Sequence, residues 1–260
     1  MQVKPISVTK SLIEGHENLT AEEVIIFAAR ASNPSNQLNS DTAPRLIAYL
    51  IRVQHWSPFE MANLCVEIKT SRAIAQQILR HRSFSFQEFS QRYAQVVDIE
   101  PVQLRKQAVK NRQSSTEEFD PLIDVSRKLT PVRASWAIGD AIKYMKELYA
   151  TLINEGVAKE CARMILPLTT ETTIYMNGSV RSWIHYIAQR TDPHAQLEHQ
   201  LVALEVEKIF AKQFPNIFEA IELAKSKAVA TNELIEEVKK LVEKENGFGY
   251  FEDLLRTINK

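Results

Sequence analysis

The side chains best suited to bind a ligand are concentrated between residues 80 and 93, in the sequence RHRSFSFQEFSQRY. Three arginines and a histidine lie there among serine hydroxyls, glutamine amides and aromatic rings. A guanidinium binds phosphate through two parallel hydrogen bonds, and its plane stacks on a heterocycle. Glu88 is the only acid, so it either neutralises an arginine or accepts a hydrogen bond from the ligand. The stretch predicts a site for an anion that carries a flat ring, such as a nucleotide or a flavin. Its alternative interpretation is a basic helix end that forms surface salt bridges.

A second polar cluster lies between residues 179 and 190, in a segment with the pattern of a helix. Helical spacing would place Arg181, His185 and Gln189 on one side of it. Arg190 would lie about half a turn away from Arg181, because nine steps of about 100° separate them. One helix could therefore serve two adjacent ligand positions, although a merely charged helix face is an equally good interpretation of this segment alone.

Two other segments carry candidate ligand contacts. Arg163 lies among apolar neighbours, and a semi-buried arginine generally needs an anionic partner. The sequence HWSPFE offers His55 and Glu60, although a proline turn whose Trp56 and Phe59 fill the core explains that sequence as well.

Several other classes of site are not supported by the sequence. It contains no Walker loop, GxGxxG turn or GxSxG elbow, so side chains must hold any phosphate. His194, Glu198 and His199 do not have the spacing of a zinc protease motif, and we predict no metal. Cys65 and Cys161 lie far apart without a nearby histidine, which favours core packing and a reducing, cytoplasmic location.

The overall charge gives no reason to expect a nucleic-acid or membrane partner. Lys plus Arg and Asp plus Glu each number 32, so the formal net charge is zero. No apolar run approaches the roughly 20 residues that a membrane span needs, and no targeting segment is recognisable. A rival hypothesis is a non-catalytic nucleotide- or RNA-binding protein that uses the arginines as a phosphate platform, and the neutral charge counts against it.

Periodicity predicts the elements that position these clusters. In the first half we expect strands at 3–9, at 63–70, where Leu64, Val66 and Ile68 alternate with other residues, and at 92–97. We expect helices at 21–31, which follows a capping box formed by Thr20 and Glu23, from 41 or 42, and at 71–82. The last of these helices would bring Gln77, Arg80 and His81 to one face. Residues 98–129 are an irregular excursion. Helices follow at 130–153, 157–166, 179–190, 194–214, from 216 and at 231–245, with an extended segment before residue 179.

The whole chain is interpreted as one domain, residues 1–260, with a helical tail over 200–260.

Taken together, these motifs resemble the flavin-dependent thymidylate synthases, the ThyX family. The resemblance rests on the signature from Arg80-His81-Arg82 to Ser90, extended to Arg92, and on HWSPFE, Arg163, RSWIHYIAQR and HAQLE in the expected order. It implies a homotetramer whose active sites lie at subunit interfaces. It also implies that each subunit has an α+β fold, in which a mixed or antiparallel sheet packs against helices and a helical C-terminal extension follows. It also implies FAD as cofactor, NADPH as its reductant, and methylenetetrahydrofolate as the carbon donor that converts dUMP to dTMP.

The resemblance further implies a role for individual residues. The flavin would be lined by Ser32, Ser57, Glu60, Arg80, His81, Arg82, Gln87, Arg181, His185 and His194. The dUMP would be held by Gln77, Arg80, Glu88, Ser90, Gln91, Arg92, Arg163 and Arg190. Arg190 would be the catalytic residue that stabilises negative charge on the uracil ring, and His55 would lie on the folate side of the flavin.

At four positions this chain departs from the family pattern. Met61 follows SPFE where histidine is frequent, and Gln91 fills a position that is commonly small. Gln87 and His185 each stand where asparagine is usual. These departures affect individual contacts rather than the expected reaction.

Overall fold

The computed structural model describes residues 1–95, 98–111, 113–125 and 130–244. Its strands are β1 (Gln2–Val8), β2 (Asn63–Ser71), β3 (Ser85–Glu88), β4 (Arg105–Gln107), β5 (Ser115–Glu118), β6 (Leu122–Ile123), β7 (Val132–Arg133) and β8 (Glu171–Ser179). Its helices are α1 (Ala21–Ala29), α2 (Ala43–Arg52), α3 (Arg72–Ile78), α4 (Ala134–Asn154), α5 (Lys159–Ala162), α6 (Val180–Arg190), α7 (Leu197–Gln213) and α8 (Pro215–Lys244).

A four-stranded antiparallel sheet in the order β1-β2-β8-β3 is the centre of the fold. Alternation along β2 buries Leu64, Val66 and Ile68, as a strand with one covered face requires. In β8 the buried residues include Ile174 and Met176, so the two central strands present one apolar face. The helices pack against this face, and the predicted α+β class with an antiparallel sheet is confirmed.

The helices around this core are fixed at their ends by side chains as well as by burial. Thr20 and Glu23 form the predicted capping box at the start of α1. The buried carboxylate of Glu22 accepts hydrogen bonds from the backbone N–H of Ile217 at 2.8 Å and from the side-chain amide of Asn216 at 2.9 Å. Because these groups lie in the first turn of α8, Glu22 joins the N-terminal helix to the C-terminal one.

The segment after α3 differs from its prediction. The helix ends at Ile78 rather than continuing to residue 82, and a turn follows, in which the N–H of His81 bonds to the carbonyl of Ile78. This turn lets the ring of Phe84 pack on Trp183 of α6 and brings Phe86 opposite Met176 of β8. The strand therefore forms at Ser85–Glu88, and the prediction of a strand at 92–97 is wrong where the structure describes it. Residues 90–94 form a turn, and residues 96 and 97 lie outside the described residues.

Other predicted boundaries also change. Helix α4 starts at Ala134 because Val132 and Arg133 first pair with β6, and Asp120 then accepts hydrogen bonds from the N–H and hydroxyl of Ser135. The predicted helix from 157 to 166 is a short α5 followed by a 3-10 turn at Arg163–Ile165. Residues 194–196 precede α7 as a turn, and the two helices predicted after residue 216 are one continuous α8. The part of the predicted tail beyond residue 244 lies outside the described residues.

Within the excursion predicted at 98–129, the structure describes the strand pair of β4 with β5, and also β6, whose partner β7 follows the excursion. Of the helices that the structure describes, none combines the length and apolar character needed to cross a membrane.

Candidate functional site

Residues 81–84 lie along α6 and bring the two predicted polar clusters together. The hydroxyl of Ser182, in the first turn of α6, donates to the carbonyl of Ser83 at 3.2 Å. At the other end of the helix, Nε of Arg190 donates to Nε2 of His81 at 3.0 Å. Between these contacts the His81 ring packs edge-on against Tyr186, with centroids 4.9 Å apart. The arginine-rich signature and the last residue of α6 therefore form one site.

The Arg190–His81 bond requires a neutral histidine, because Nε2 must accept the proton of Nε–H. Burial and the positive charge of Arg190 together lower the pKa of His81 to about 4. At neutral pH His81 is thus an acceptor that holds the Arg190 side chain in place, and the bond engages only Nε of the guanidinium.

Beside this pair, a chain of hydrogen bonds links the side chains of α3, α6 and α7. The hydroxyl of Tyr186 lies 3.2 Å from Nε2 of His199, and Nδ1 of His199 lies 3.3 Å from Oε1 of Gln77. Nε2 of Gln77 donates to Gln196 at 2.6 Å. His199 is fully buried, and it shares the inner face of α7 with Val202 and Val206. The sequence offered one signal for it, a histidine at helical spacing from apolar residues.

A second group of predicted residues lies at the N-terminal end of α6. Nη1 of Arg181 forms an ion pair with Oε1 of Glu60 at 2.9 Å, and the ring of His185 lies 5.0 Å from that of Trp56. A hydrogen bond from Ser179 and the pairing with Arg181 lower the pKa of Glu60. Arg181 and His185 share a side of the helix, as predicted. Arg181 and His185 are exposed, whereas Glu60, in the 3-10 turn Ser57–Glu60, and Trp56 are half-buried.

A third group surrounds the turn after β3. Oε1 of Glu88 accepts from the hydroxyl of Thr172 at 3.0 Å, and Arg92 pairs with Glu160 at 3.2 Å. The side chain of Gln91 is buried, and its Nε2 has no acceptor among the residues that the structure describes. The same holds for Nε of Arg163, three residues after Glu160. Two donors without acceptors next to an arginine are what an anionic ligand would satisfy.

The remaining predicted residues are not joined to these groups by described contacts. Ser32 and His55 are exposed, and His194 bonds to Asp192 at 2.7 Å in the turn before α7. Arg80, Arg82, Gln87 and Ser90 are exposed on the same segment as His81. No group of three metal-ligating side chains occurs in the described part of the chain. Cys65 is half-buried, but Cys161 is exposed, so the prediction of core packing is wrong for it.

Comparison with known proteins decides the family. The family model described as "Thymidylate synthase complementing protein" (Thy1) matches residues 15–216. The chain belongs to the Thy1 family of flavin-dependent thymidylate synthases. A probable flavin-dependent thymidylate synthase of Paramecium bursaria Chlorella virus 1 is 50% identical over 225 residues, which are 85% of this chain and 99% of the relative. The flavin-dependent thymidylate synthase of Synechocystis is 48% identical over 224 residues, which are 85% of this chain and 100% of the relative.

The fold of this Thy1 family member is shared with a solved enzyme. The UMP/dUMP methylase PolB of Streptomyces cacaoi, crystallised with 5-Br dUMP, superposes with a TM-score of 0.69 at 24% identity, over 85% of this chain and 94% of that one. The predicted family and fold are therefore confirmed. The residues that the Thy1 family model matches include every predicted site residue, from Ser32 to His194, and exclude most of α8.

The two lowered histidine pKa values predict that this family member loses stability in mild acid. The pKa of His81 is lowered to about 4 by burial and Arg190, and that of His199 to about 3 by burial, Arg190 and His81. An unfolded chain takes up these protons near pH 6.5, before the folded one does, so the free energy of unfolding should fall as pH drops from about 6.5 towards 4. Urea unfolding at pH 7 and pH 5 measures this, and a His199→Leu variant should show a smaller drop. Equal drops in the wild type and in His199→Leu would contradict the lowered pKa of His199.

Proposed function

We propose that this enzyme methylates dUMP to dTMP with a bound FAD, that methylenetetrahydrofolate donates the carbon, and that NADPH reduces the flavin. The observation that carries the proposal is the Arg190–His81 bond, because it joins the predicted nucleotide residues to the predicted flavin residues. When bound, the flavin supplies the hydride that completes the methyl group.

The residues near Arg92 and Arg163 fit the nucleotide. The unpartnered donors of Gln91 and Arg163 suit phosphate oxygens, and Arg92 would reach them by exchanging its exposed ion pair with Glu160. Glu88, held by Thr172, can accept a hydrogen bond from the nucleotide. Ser90 and Gln77 complete the set, and Arg80 borders both ligands.

Arg190 is assigned the catalytic role. Its guanidinium is oriented by neutral His81 and partly shielded from water, so its charge is available where the uracil ring becomes negative. A preorganised charge of this kind stabilises a transition state without reorganisation. The proposed reaction uses no protein nucleophile, and neither cysteine contacts this group in the described structure.

The residues assigned to the flavin are charged or polar, and all except the half-buried Glu60 and His81 are exposed. Arg80, Arg82 and Arg181 are cations that suit a pyrophosphate, and Ser32, Ser57, Gln87 and His194 offer further hydrogen-bonding groups. Glu60 and His185 lie by the N-terminal part of α6, and the exposed His55, next to Trp56 in the sequence, is assigned to the folate side of the flavin. Their exposure in one subunit supports the proposal of an active site completed by neighbouring copies in a homotetramer. We keep the cytoplasm as the proposed location and residues 1–260 as one domain.

The proposal is tested under anaerobic conditions with the purified protein. It should be yellow, release FAD on denaturation, and be bleached by NADPH. Addition of dUMP and methylenetetrahydrofolate together should restore the flavin absorbance and yield dTMP, and omission of dUMP is the matched control. A colourless protein that binds no added FAD would contradict the proposal.

A further inference from the structure

The buried histidine of α7 has both ring nitrogens engaged, and one of them contacts a predicted nucleotide residue. His199 is 0% exposed, with the Tyr186 hydroxyl at Nε2 and the Gln77 carboxamide oxygen at Nδ1. None of the motifs that carry the family resemblance assigns this histidine a role. Its position behind Gln77, on a different helix, suggests that it acts on the nucleotide through that residue.

The direction of each hydrogen bond in this series follows from the carboxylate of Glu198, which lies at its end. Glu198 binds Arg105 at 2.6 Å, and although burial acts to raise its pKa, hydrogen bonds from Arg105 and Gln196 lower it overall. An ionised carboxylate only accepts hydrogen bonds, so the Gln196 amide nitrogen at 2.9 Å must be the donor. The carboxamide oxygen of Gln196 is then left to accept from Nε2 of Gln77.

The same logic continues through Gln77 to the buried rings. Since Nε2 of Gln77 is the donor to Gln196, its Oε1 is the acceptor and Nδ1 of His199 must carry the proton. Nε2 of His199 then accepts from the Tyr186 hydroxyl, which burial keeps protonated by raising its pKa. Burial, Arg190 and His81 lower the pKa of His199 to about 3, so the ring is neutral at any working pH.

In this arrangement the only hydrogen-bonding group of the Gln77 side chain left free by the described contacts is one amide N–H. Its carboxamide oxygen is held by His199, and one amide hydrogen is held by Gln196. The second amide hydrogen is free, and Gln77 is only half-buried. With the opposite amide orientation the oxygen would face Gln196 and the nitrogen would meet the proton on His199, which is repulsive.

We propose that His199 is a positioning residue that fixes the Gln77 carboxamide so that it offers an N–H to an acceptor oxygen of the bound nucleotide. The acceptor is a ring carbonyl or a phosphate oxygen. The inference rests on the proposed function, because it takes dUMP as the nucleotide. Loss of the His199 donor frees the amide to rotate and removes one net hydrogen bond, which corresponds to about a tenfold loss of affinity.

The test compares two variants of His199 by calorimetric titration of dUMP into the flavin-loaded enzyme. His199→Leu fills the space without a donor, and the Kd for dUMP should rise about tenfold. His199→Asn places an amide N–H near the position of Nδ1, and it should restore most of the affinity. In steady-state assays the KM for dUMP should rise in His199→Leu more than kcat falls, which a general loss of structure would not produce.

Two further variants keep the result decisive. Val202→Ala removes buried volume from the same face of α7 without changing any residue of the hydrogen-bond series Tyr186–His199–Gln77–Gln196. It should therefore lower Tm and leave the Kd for dUMP unchanged. Glu198→Gln lets the amides reverse and should raise Kd by roughly threefold, even if His199→Leu does not fold. If His199→Leu folds and binds dUMP with the wild-type Kd, the role of His199 is overturned. If His199→Leu does not fold, a wild-type Kd in Glu198→Gln overturns it instead. Wild-type protein that binds no dUMP overturns the proposed function, and this role with it.

Discussion

An Arg190→Ala variant is expected to keep its flavin and to form dTMP at least about 100-fold more slowly than the wild type. Arg190 is the last residue of α6, and its Nε–H bond to His81 orients a guanidinium that is only half-buried. Removing one preorganised charge near a reacting ring typically costs two to three orders of magnitude in rate. The measurement is single-turnover dTMP formation after anaerobic reduction, with flavin content determined on the same sample.

The neighbouring residue provides the matched control for this variant. Gln189 is exposed on the same turn of α6, so Gln189→Ala should leave both flavin content and rate close to wild type. Arg190→Lys retains the charge but loses the planar Nε–H that His81 accepts, and an intermediate rate is expected. Wild-type turnover in Arg190→Ala would refute the catalytic assignment, whereas loss of flavin would assign Arg190 to cofactor binding instead.

The elements predicted best from the sequence were those whose own residues show the pattern of a buried face or of a helix start. The alternation of Leu64, Val66 and Ile68 predicted β2, and the capping box at Thr20 predicted the start of α1. Prediction failed at the end of α3, because Phe84 leaves the helix to pack on Trp183, and nothing local to Phe84 encodes that contact. The strand at Ser85–Glu88 was missed for the same reason, since pairing with β8 creates it.

The candidate site shows the same division between local and distant information. Arginines, serines and glutamines are recognisable as ligand-binding types from the sequence, and their grouping along the chain predicted two clusters. The buried chain of Tyr186, His199 and Gln77 was not predictable, because three separate helices supply it. Spacing along one helix cannot reveal a hydrogen bond to another.

The second large effect is expected from Gly178→Ala, which should destabilise the fold by about 1–3 kcal/mol. Gly178 lies in β8, and a Cβ atom there would come within 2.6 Å of the ring carbon Cε1 of Phe84 and closer still to Cδ1. Phe84 cannot give way freely, because its ring is buried and packs against Trp183 and Tyr186. Thermal unfolding should show Tm lowered by on the order of 5 °C.

Displacement of Phe84 would also move His81, three residues earlier on the same turn. Gly178→Ala should therefore bind dUMP more weakly as well as unfold at a lower temperature.

The matched control is Gly139→Ala in α4, where no atom lies within 4 Å of the new Cβ and alanine favours the helix by roughly 0.5–1 kcal/mol. Tm should therefore rise slightly in that variant. Adding Phe84→Leu to Gly178→Ala makes room for the new methyl group. The double variant should therefore be destabilised by less than the sum of the destabilisations of the two single variants. Strict additivity would mean that the Phe84 ring does not press on Gly178, and the predicted link from Gly178 through Phe84 to His81 would then be wrong.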